Sequence, residues 1–323
     1  MKRFILPLLL FSTLIMPNER FKNTDADAAG KSFREFLKWS FTNKKPELVA
    51  IDSSDEWKEL TPGSSDYLVW IGHATYLINK DNLTILTDPV FSKRASPVRF
   101  AGPKRLIPPA IPIDKLPPID VITVSHNHYD HLDIRSLKKI YEANPKAVFL
   151  VPKGDRRRLK RRGIKNVKEF LWWEEIDIKG SKFTFTPVQH WSARGIADRN
   201  KSLWGGWFMN LKTETIYHAG DTGYSKDFIE TKNRLGSPSL SLIPVGAYAP
   251  RWFMKTNHVN PPEAIQIAID LESEKNFGMH WGTFQLTDEE VLEPPTLLKD
   301  SLRDQGLPDN FFNILKPGQI VEL

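Results

Sequence analysis

Cysteine is absent from the 323 residues, so no disulfide and no thiolate ligand can form, and any metal must be held by histidine, aspartate or glutamate. The same absence leaves the redox compartment unread. Long apolar runs are missing as well. Phe4 to Met16 gives 13 largely apolar residues, short of the roughly 20 that cross a hydrocarbon core. Behind its basic tip this run reads as the apolar stretch of an export signal. A small-x-small triplet follows at Ala26-Asp27-Ala28, but Glu19, Arg20 and Lys22 stand between it and the run, which disfavours cleavage. An uncleaved segment that touches the membrane is the alternative, so the expectation is a peripheral membrane protein, exported or not. Repeats and low-complexity tracts are also lacking. Histidine is scarce, at eight residues, which makes its placement informative.

What is present argues for a folded protein. Forty per cent apolar residues in a 37.1 kDa chain can fill a large core. The balance of 45 Lys+Arg against 39 Asp+Glu, with a pI near 9.2, inclines the surface toward anionic partners, lipid headgroups or nucleic acid. Residues 1–28 form the signal-like or membrane-touching segment. Residues 29–65 are a polar extension in which "SFREFLKWSF" places Phe33, Phe36, Leu37 and Phe41 near helical spacing, predicting one docking helix. Residues 66–323 read as a single α/β domain: short β-rich runs such as "YLVWI", "TYLIN", "LTILT", "VITVS" and "AVFLV" come first, then "FTFTP", "WFMNL", "TIYHA" and "LSLIP". Helical patterns lie between them. Asp133 can cap "IRSLKKIYEA", and Asn260 with its prolines can open "PPEAIQIAID".

The stretch "SHNHYDHLD", Ser125 to Asp133, concentrates three histidines and two aspartates at the end of a strand pattern. Two imidazoles in an HxH arrangement can share one ion, and a following DH pair can serve a second. Neutral imidazole and carboxylate suit zinc, with iron or manganese as alternatives. A lone histidine is usually a packed or surface residue, but His126, His128, Asp130 and His131 offer four donors within six positions. Further donors stand where later strands end: His190 after "FTFTPVQ", Asp221 in "TIYHAGDTG" and His280 in "NFGMH".

This order of donors resembles the metallo-β-lactamase superfamily. The resemblance implies an αβ/βα four-layer sandwich, two mixed β-sheets flanked by helices, with two Zn²⁺ at one edge. It implies one metal held by His126, His128 and His190, and another by Asp130, His131 and His280, with Asp221 bridging. A hydroxide held between the two would attack an ester or phosphate centre.

Longer segments narrow the family. "WIGHATYLI", "LTDPVFSKRASPVRFAGPKR", "QHWSAR", "LWGGW", "AGDTGY", "PVGAYAPRWFMK", "NHVNPPEA" and "HWGTFQLTDEEVLEPP" resemble the N-acylphosphatidylethanolamine-hydrolysing phospholipase D family from about Tyr67 to the C-terminus. That family is zinc-dependent, membrane-associated and dimeric, and releases N-acylethanolamine and phosphatidic acid. Carried over, the catalytic set is Asp130, His131, Asp221 and His258, the last contacting the substrate headgroup and acting as an acid toward the leaving oxygen, with a loop histidine bonding the backbone before Pro261 as the alternative. Asp88 in "LTDP" is expected to accept an N–H from a ligating histidine, with a simple Asp-Pro turn as the alternative. His73 in "GHAT" lies near the site or is structural.

Arg251, Trp252, Phe253 and Met254, in "APRWFMK", suit a lipid interface, or else they are core residues with solvated flanks. Nine Lys+Arg between residues 153 and 168 fit anionic lipid, RNA or an ordinary solvated face. Nucleic acid is disfavoured as the partner because no glycine- and proline-rich arm is present to clamp a tRNA. Trp191 and Trp281, each following a ligand, are expected to wall the cleft. The competing functions are hydrolysis of another ester, lactone or RNA phosphodiester on the same fold, and a metal-bearing lipid-binding protein without turnover.

Overall fold

The computed structural model describes residues 20–24, 33–44, 46–47, 49–61, 66–195 and 197–323; the signal-like run and the Ala26 to Ala28 triplet lie outside them. Six strands come first: β1 (Tyr67–Gly72), β2 (Thr75–Lys80), β3 (Leu83–Thr87), β4 (Val121–Thr123), β5 (Val148–Pro152) and β6 (Val167–Phe170). Seven more follow: β7 (Glu175–Ile178), β8 (Ser181–Thr186), β9 (Gly206–Asn210), β10 (Thr215–His218), β11 (Leu240–Pro244), β12 (Lys275–Met279) and β13 (Phe312–Asn313). The chain then returns as β14 (Ile320–Glu322) to pair with β1. The helices are α1 (Phe33–Thr42), α2 (Ile134–Ala143), α3 (Arg156–Lys160), α4 (Asp227–Leu235), α5 (Arg251–Met254), α6 (Pro261–Asp270) and α7 (Glu293–Asp304).

Two seven-stranded sheets result, ordered β14-β1-β2-β3-β4-β5-β6 and β13-β12-β11-β10-β9-β8-β7. In the first, the pairs from β14 to β3 are antiparallel and those from β3 to β6 parallel. The second repeats this plan, antiparallel from β7 to β10 and parallel from β10 to β13. The β2–β3 hairpin turns on Asp81 and Asn82, both at positive φ (54° and 61°), as a two-residue turn matched to strand twist requires.

The period of two along a strand decides the layers. Leu68 and Trp70 of β1 enter the cluster between the sheets, with Tyr76, Phe183, Trp207 and Tyr217. Val69 and Ile71 point the other way, into a second cluster with Leu137 and Ile140 of α2 and Leu159 of α3. All six residues of β1 are therefore buried, which explains a run with no polar alternation. Each fully buried aliphatic or aromatic side chain contributes about 1.5–3 kcal/mol. On the far side α6 buries Ala264, Ile265, Ile267 and Ala268 and packs on β11, α4 and α7. Helices, sheet, sheet and helices make the four layers anticipated from the sequence.

Two caps form as read. Asp133 accepts from the N–H of Arg135, and Asn260 and Glu263 close a reciprocal capping box at α6. The docking helix differs in its contact face. Leu37 and Phe41 of α1 are exposed, and it is Trp39 that reaches the domain, stacking on Phe253 at 5.3 Å and donating to Asp288 Oδ1 at 3.0 Å. The side chains of Phe33 and Phe36 lie outside the described residues. Among the described residues no helix is long and apolar enough to cross a membrane.

Candidate metal centre

Parallel strands leave the same sheet edge at their C-terminal ends, and the chemistry-bearing residues are placed there. Asp88 follows β3, the His126–His131 loop follows β4, Asp221 follows β10 and His280 follows β12. His190 follows β8, which runs with β10 because both are antiparallel to β9. Three site residues hold left-handed backbone: His73 at φ 56°, Asp88 at 34° and His280 at 64°. For non-glycine residues such geometry is unfavourable and persists only where the surroundings impose it. Gly220, at φ 63°, allows the Asp221 turn to seat against the histidine loop, since a Cβ there would stand 2.5 Å from the Cβ of Ser125.

The structure brings all seven sequence-predicted donors together in two adjoining groups. His126, His128, His190 and Asp221 form one; Asp130, His131 and His280 form the other, which His73 also enters. Within each group the ligand-type atoms lie within 4.8 Å of one another. In the first, His128 Nδ1 stands 2.8 Å from His126 Nε2 and 3.3 Å from His190 Nε2. Asp221 joins the groups. Its Oδ2 is 3.8 Å from both His126 Nε2 and His190 Nε2, and 3.2 Å from His131 Nε2, while its Oδ1 is 3.0 Å from His280 Nε2.

Partners outside these groups fix the rings. Asp88 Oδ2 accepts from His131 Nδ1 at 2.7 Å and from Ser125 Oγ at 2.6 Å, and its Oδ1 accepts from the N–H of Ser125 at 2.7 Å. His190 Nδ1 donates to the carbonyl of Asn257 at 2.9 Å, which turns Nε2 inward. Arg194 Nη1 donates to the carbonyls of Asn127 and Leu132 at 2.9 and 2.7 Å, pinning both ends of the histidine loop.

The protonation states match a cation site. Burial pushes His126 and His190 well down and His128 to about 4, leaving neutral imidazoles able to donate a lone pair. Burial also opposes the charge on Asp130 and Asp221, but the neighbouring histidines outweigh it and hold both well below the usual carboxylate range. His280 shows the reverse: burial lowers it, yet Asp221 and Asp130 bring it to about 9. Two buried carboxylates here require compensating positive charge. The buried atoms His131 Nε2 and His280 Nε2 face Asp221 at ion-pair distance, 3.2 and 3.0 Å, with no polar partner other than Asp130 among the described residues. Nitrogen and oxygen donors converging in one buried site fit divalent cations, which would take the place of the protons that Asp221 and Asp130 hold on His131 and His280.

Comparison with known proteins agrees. A family model described as the β-lactamase superfamily domain matches residues 84–281. The N-acyl-phosphatidylethanolamine-hydrolyzing phospholipase D 1 of Caenorhabditis elegans is 38% identical over 268 residues, covering 79% of this chain and 75% of that protein. The chain belongs to the N-acylphosphatidylethanolamine-hydrolysing phospholipase D family. A mitochondrial N-acyl-phosphatidylethanolamine-hydrolyzing phospholipase D of Saccharomyces cerevisiae is 40% identical over 253 residues, 76% of this chain; the chain spans about half (54%) of the yeast protein. A solved structure described as a possible metal-dependent hydrolase from Veillonella parvula shares the fold with a TM-score of 0.64 at 17% identity, covering 80% of this chain and 100% of that one. As a member of this phospholipase D family the protein is a metal-dependent hydrolase.

Other expectations for this phospholipase D family member are redistributed. His258 is half-buried, its ring 5.1 Å from His190 and 5.6 Å from His280, so it borders both groups. His73 is in the site, its Nε2 3.0 Å from Asp130 Oδ2. Burial and His280 push its pKa down to about 3, so a neutral ring donates to Asp130.

The four-residue lipid tip does not hold as a unit. Phe253 and Met254 are buried at 7% exposure each, and Trp252 alone of the three stands out, at 48%. The α5 turn is amphipathic and hides two of its three large apolar side chains. Arg251 is engaged by Glu263 and by the His258 carbonyl. Trp191 flanks His128 with ring centroids 4.4 Å apart, whereas Trp281 stacks on Trp70 at 5.3 Å in the interior. Ser125, Arg194 and the Asn257 carbonyl escaped the sequence reading. Arg194 had a signal in "QHWSAR"; a backbone acceptor has none.

Proposed function

We propose that this chain is a phospholipase D-type phosphodiesterase that hydrolyses N-acylphosphatidylethanolamine-like lipids to N-acylethanolamine and phosphatidic acid, with two zinc ions as its cofactors. One observation carries the reading: Asp221, grouped with His126, His128 and His190, also reaches His131 and His280 of the adjoining donor group, and His258 stands within ligand distance of Asp221 and His280. His126, His128 and His190 would hold one ion and Asp130, His131 and His280 the other. When bound, the ions supply a nucleophilic water at neutral pH and positive charge opposite the phosphate oxygens. Asp88 fixes the tautomer of His131, and His73 holds Asp130 in its rotamer. His258 is placed to give a proton to the departing ethanolamine oxygen.

The named reaction of the worm and yeast relatives supports the lipid substrate. A lipid surface is also supported by exposed Trp252 and by α3. Arg156, Arg157, Lys160, Arg161 and Arg162 are exposed on the same sheet edge as the histidine loop, because β4 and β5 are parallel.

The test is hydrolysis of N-acylphosphatidylethanolamine in water enriched in heavy oxygen, with products identified by mass spectrometry. Label in phosphatidic acid, loss of turnover in chelator and recovery with Zn²⁺ are expected. Intact lipid beside rapid cleavage of a lactone or of RNA would move the protein to the alternative class.

A further inference from the structure

Residues 20–24 precede the first strand by more than forty positions, and the family resemblance begins only near Tyr67. They nevertheless lie across the loops that carry the metal centre. The N–H of Phe21 donates to the carbonyl of Asn200 at 2.8 Å, Arg20 donates to the carbonyl of Arg199, and the Phe21 ring packs against the inter-sheet core. Thr24 Oγ1 donates to Asp227 Oδ1 at 2.5 Å. Between these anchors, Asn23 Oδ1 accepts from the backbone N–H of His190 at 3.1 Å and from Trp204 Nε1 at 2.9 Å.

We propose that Asn23 is a positioning residue for the metal centre, delivered by an N-terminal strap that the working protein retains. His190 is 1% exposed, so its N–H depends on a protein acceptor. The ring is held from one side by the Asn257 carbonyl at Nδ1 and from the backbone by Asn23. Together these contacts set where Nε2 points within the first donor group. Trp204 Nε1 has a second acceptor in the Val188 carbonyl at 3.0 Å, so it keeps a partner if Asn23 is lost; for the His190 N–H, Asn23 is the acceptor that matters. A processing cut at the Ala26 to Ala28 triplet would carry the strap away, so the strap and the export-signal reading are opposed.

The inference rests on His190 being a ligand, and it is tested on the full-length protein by Zn²⁺ titration against a chromophoric chelator. Asn23→Ala should weaken binding of one ion of the two by roughly tenfold, while Asn23→Asp, which keeps an oxygen in the same place, should restore it. If Asn23→Ala does not accumulate, Asn23→Gln, which displaces the amide by one methylene, should show the same weakening. A merely structural strap would lower the melting temperature in chelator and leave Zn²⁺ affinity at the wild-type value, and that result overturns the proposal. So does an intact mass showing that protein isolated from its own cells begins after residue 24 and binds Zn²⁺ with undiminished affinity. Wild-type protein that binds both ions but leaves the lipid intact sinks the lipid reading and not this one.

Discussion

Replacing Arg251 with alanine should cost turnover before it costs the fold. The guanidinium donates through Nη1 to the His258 carbonyl at 2.8 Å and through Nη2 to both Glu263 oxygens, at 2.8 and 2.7 Å. Glu263 Oε2 also accepts from the N–H of Asn260 at 3.2 Å, so the clamp ties the His258 loop to the first turn of α6. The Arg251 and Glu263 side chains are 30% and 24% exposed. A charge-assisted hydrogen bond is worth about 1.5–3 kcal/mol and an exposed ion pair about 0–1 kcal/mol. Partial screening places the stability loss near 1–2 kcal/mol on those scales, a melting shift of a few degrees. On the proposed role of His258 the larger loss is in rate, because its carbonyl loses Arg251. Its N–H, on the Met254 carbonyl, and the next residue's, on the Thr222 carbonyl, are left to hold the loop whose ring would meet a leaving oxygen. A loss of about 1.4 kcal/mol in the transition state is tenfold in rate, so kcat should fall at least about tenfold with KM little changed. Arg251→Lys keeps the charge without the fork and should recover only part of kcat. Steady-state kinetics in mixed micelles, paired with melting curves, measure both effects. Wild-type kcat in Arg251→Ala, with only the melting temperature lowered, would refute the clamp.

Asp88→Ala removes the acceptor of His131 Nδ1 and should weaken metal binding by about 10–100-fold, read by elemental analysis after dialysis; full occupancy would contradict the role. Asp155 accepts from Asn127, Ser202 and Arg158 on Oδ1, but burial lifts its pKa from 3.8 to about 6. The folded state therefore binds the proton more tightly than the unfolded one, and the stabilisation present below pH 3.8 is lost as pH rises through about 6. Asp155→Asn should remove this slope, worth up to about 3 kcal/mol, so that urea midpoints at pH 4.5 and 7.5 converge relative to wild type; parallel pH dependences would count against it. The double reversal Arg157→Glu with Arg161→Glu should abolish salt-sensitive binding to anionic vesicles and spare hydrolysis of a short-chain soluble substrate. Equal vesicle binding would remove α3 from the lipid surface.

The donors were legible because they are short-range facts: HxHxDH lies on one loop, and each remaining donor directly follows a β-rich run. Strand ends are where side chains can leave the pleat and converge, so position in the pattern carried chemical meaning. The layers were legible for the same reason, since "YLVWI" can be apolar throughout only if both faces of its sheet are covered. What failed depended on orientation. In "RWFM" the side chains of one short turn go to different surroundings, and no composition says that Phe253 turns inward to meet Trp39 and Met254 is buried while Trp252 turns out. Asn23 was invisible because its meaning comes from a partner 167 residues away, in a segment whose composition reads as an export signal's tail.

The burial of the site also argues for the kind of substrate it takes. Asp88 and Asp221 are buried and Asp130 is 13% exposed, so three carboxylates share a low-dielectric space with the imidazoles. Two divalent cations would outweigh them by a single positive charge, which a hydroxide held as the nucleophile would offset. The surrounding field is positive: Arg194, Arg199 and the α3 arginines border the loops that hold His128 and His190. Arg199 lies over the Trp191 ring, 4.5 Å from its centroid, and Trp191 in turn flanks His128. Cationic groups beside the site raise the local concentration of an anionic substrate. On the proposed reading, these cationic groups favour an anionic phosphodiester over a neutral ester before any headgroup is recognised.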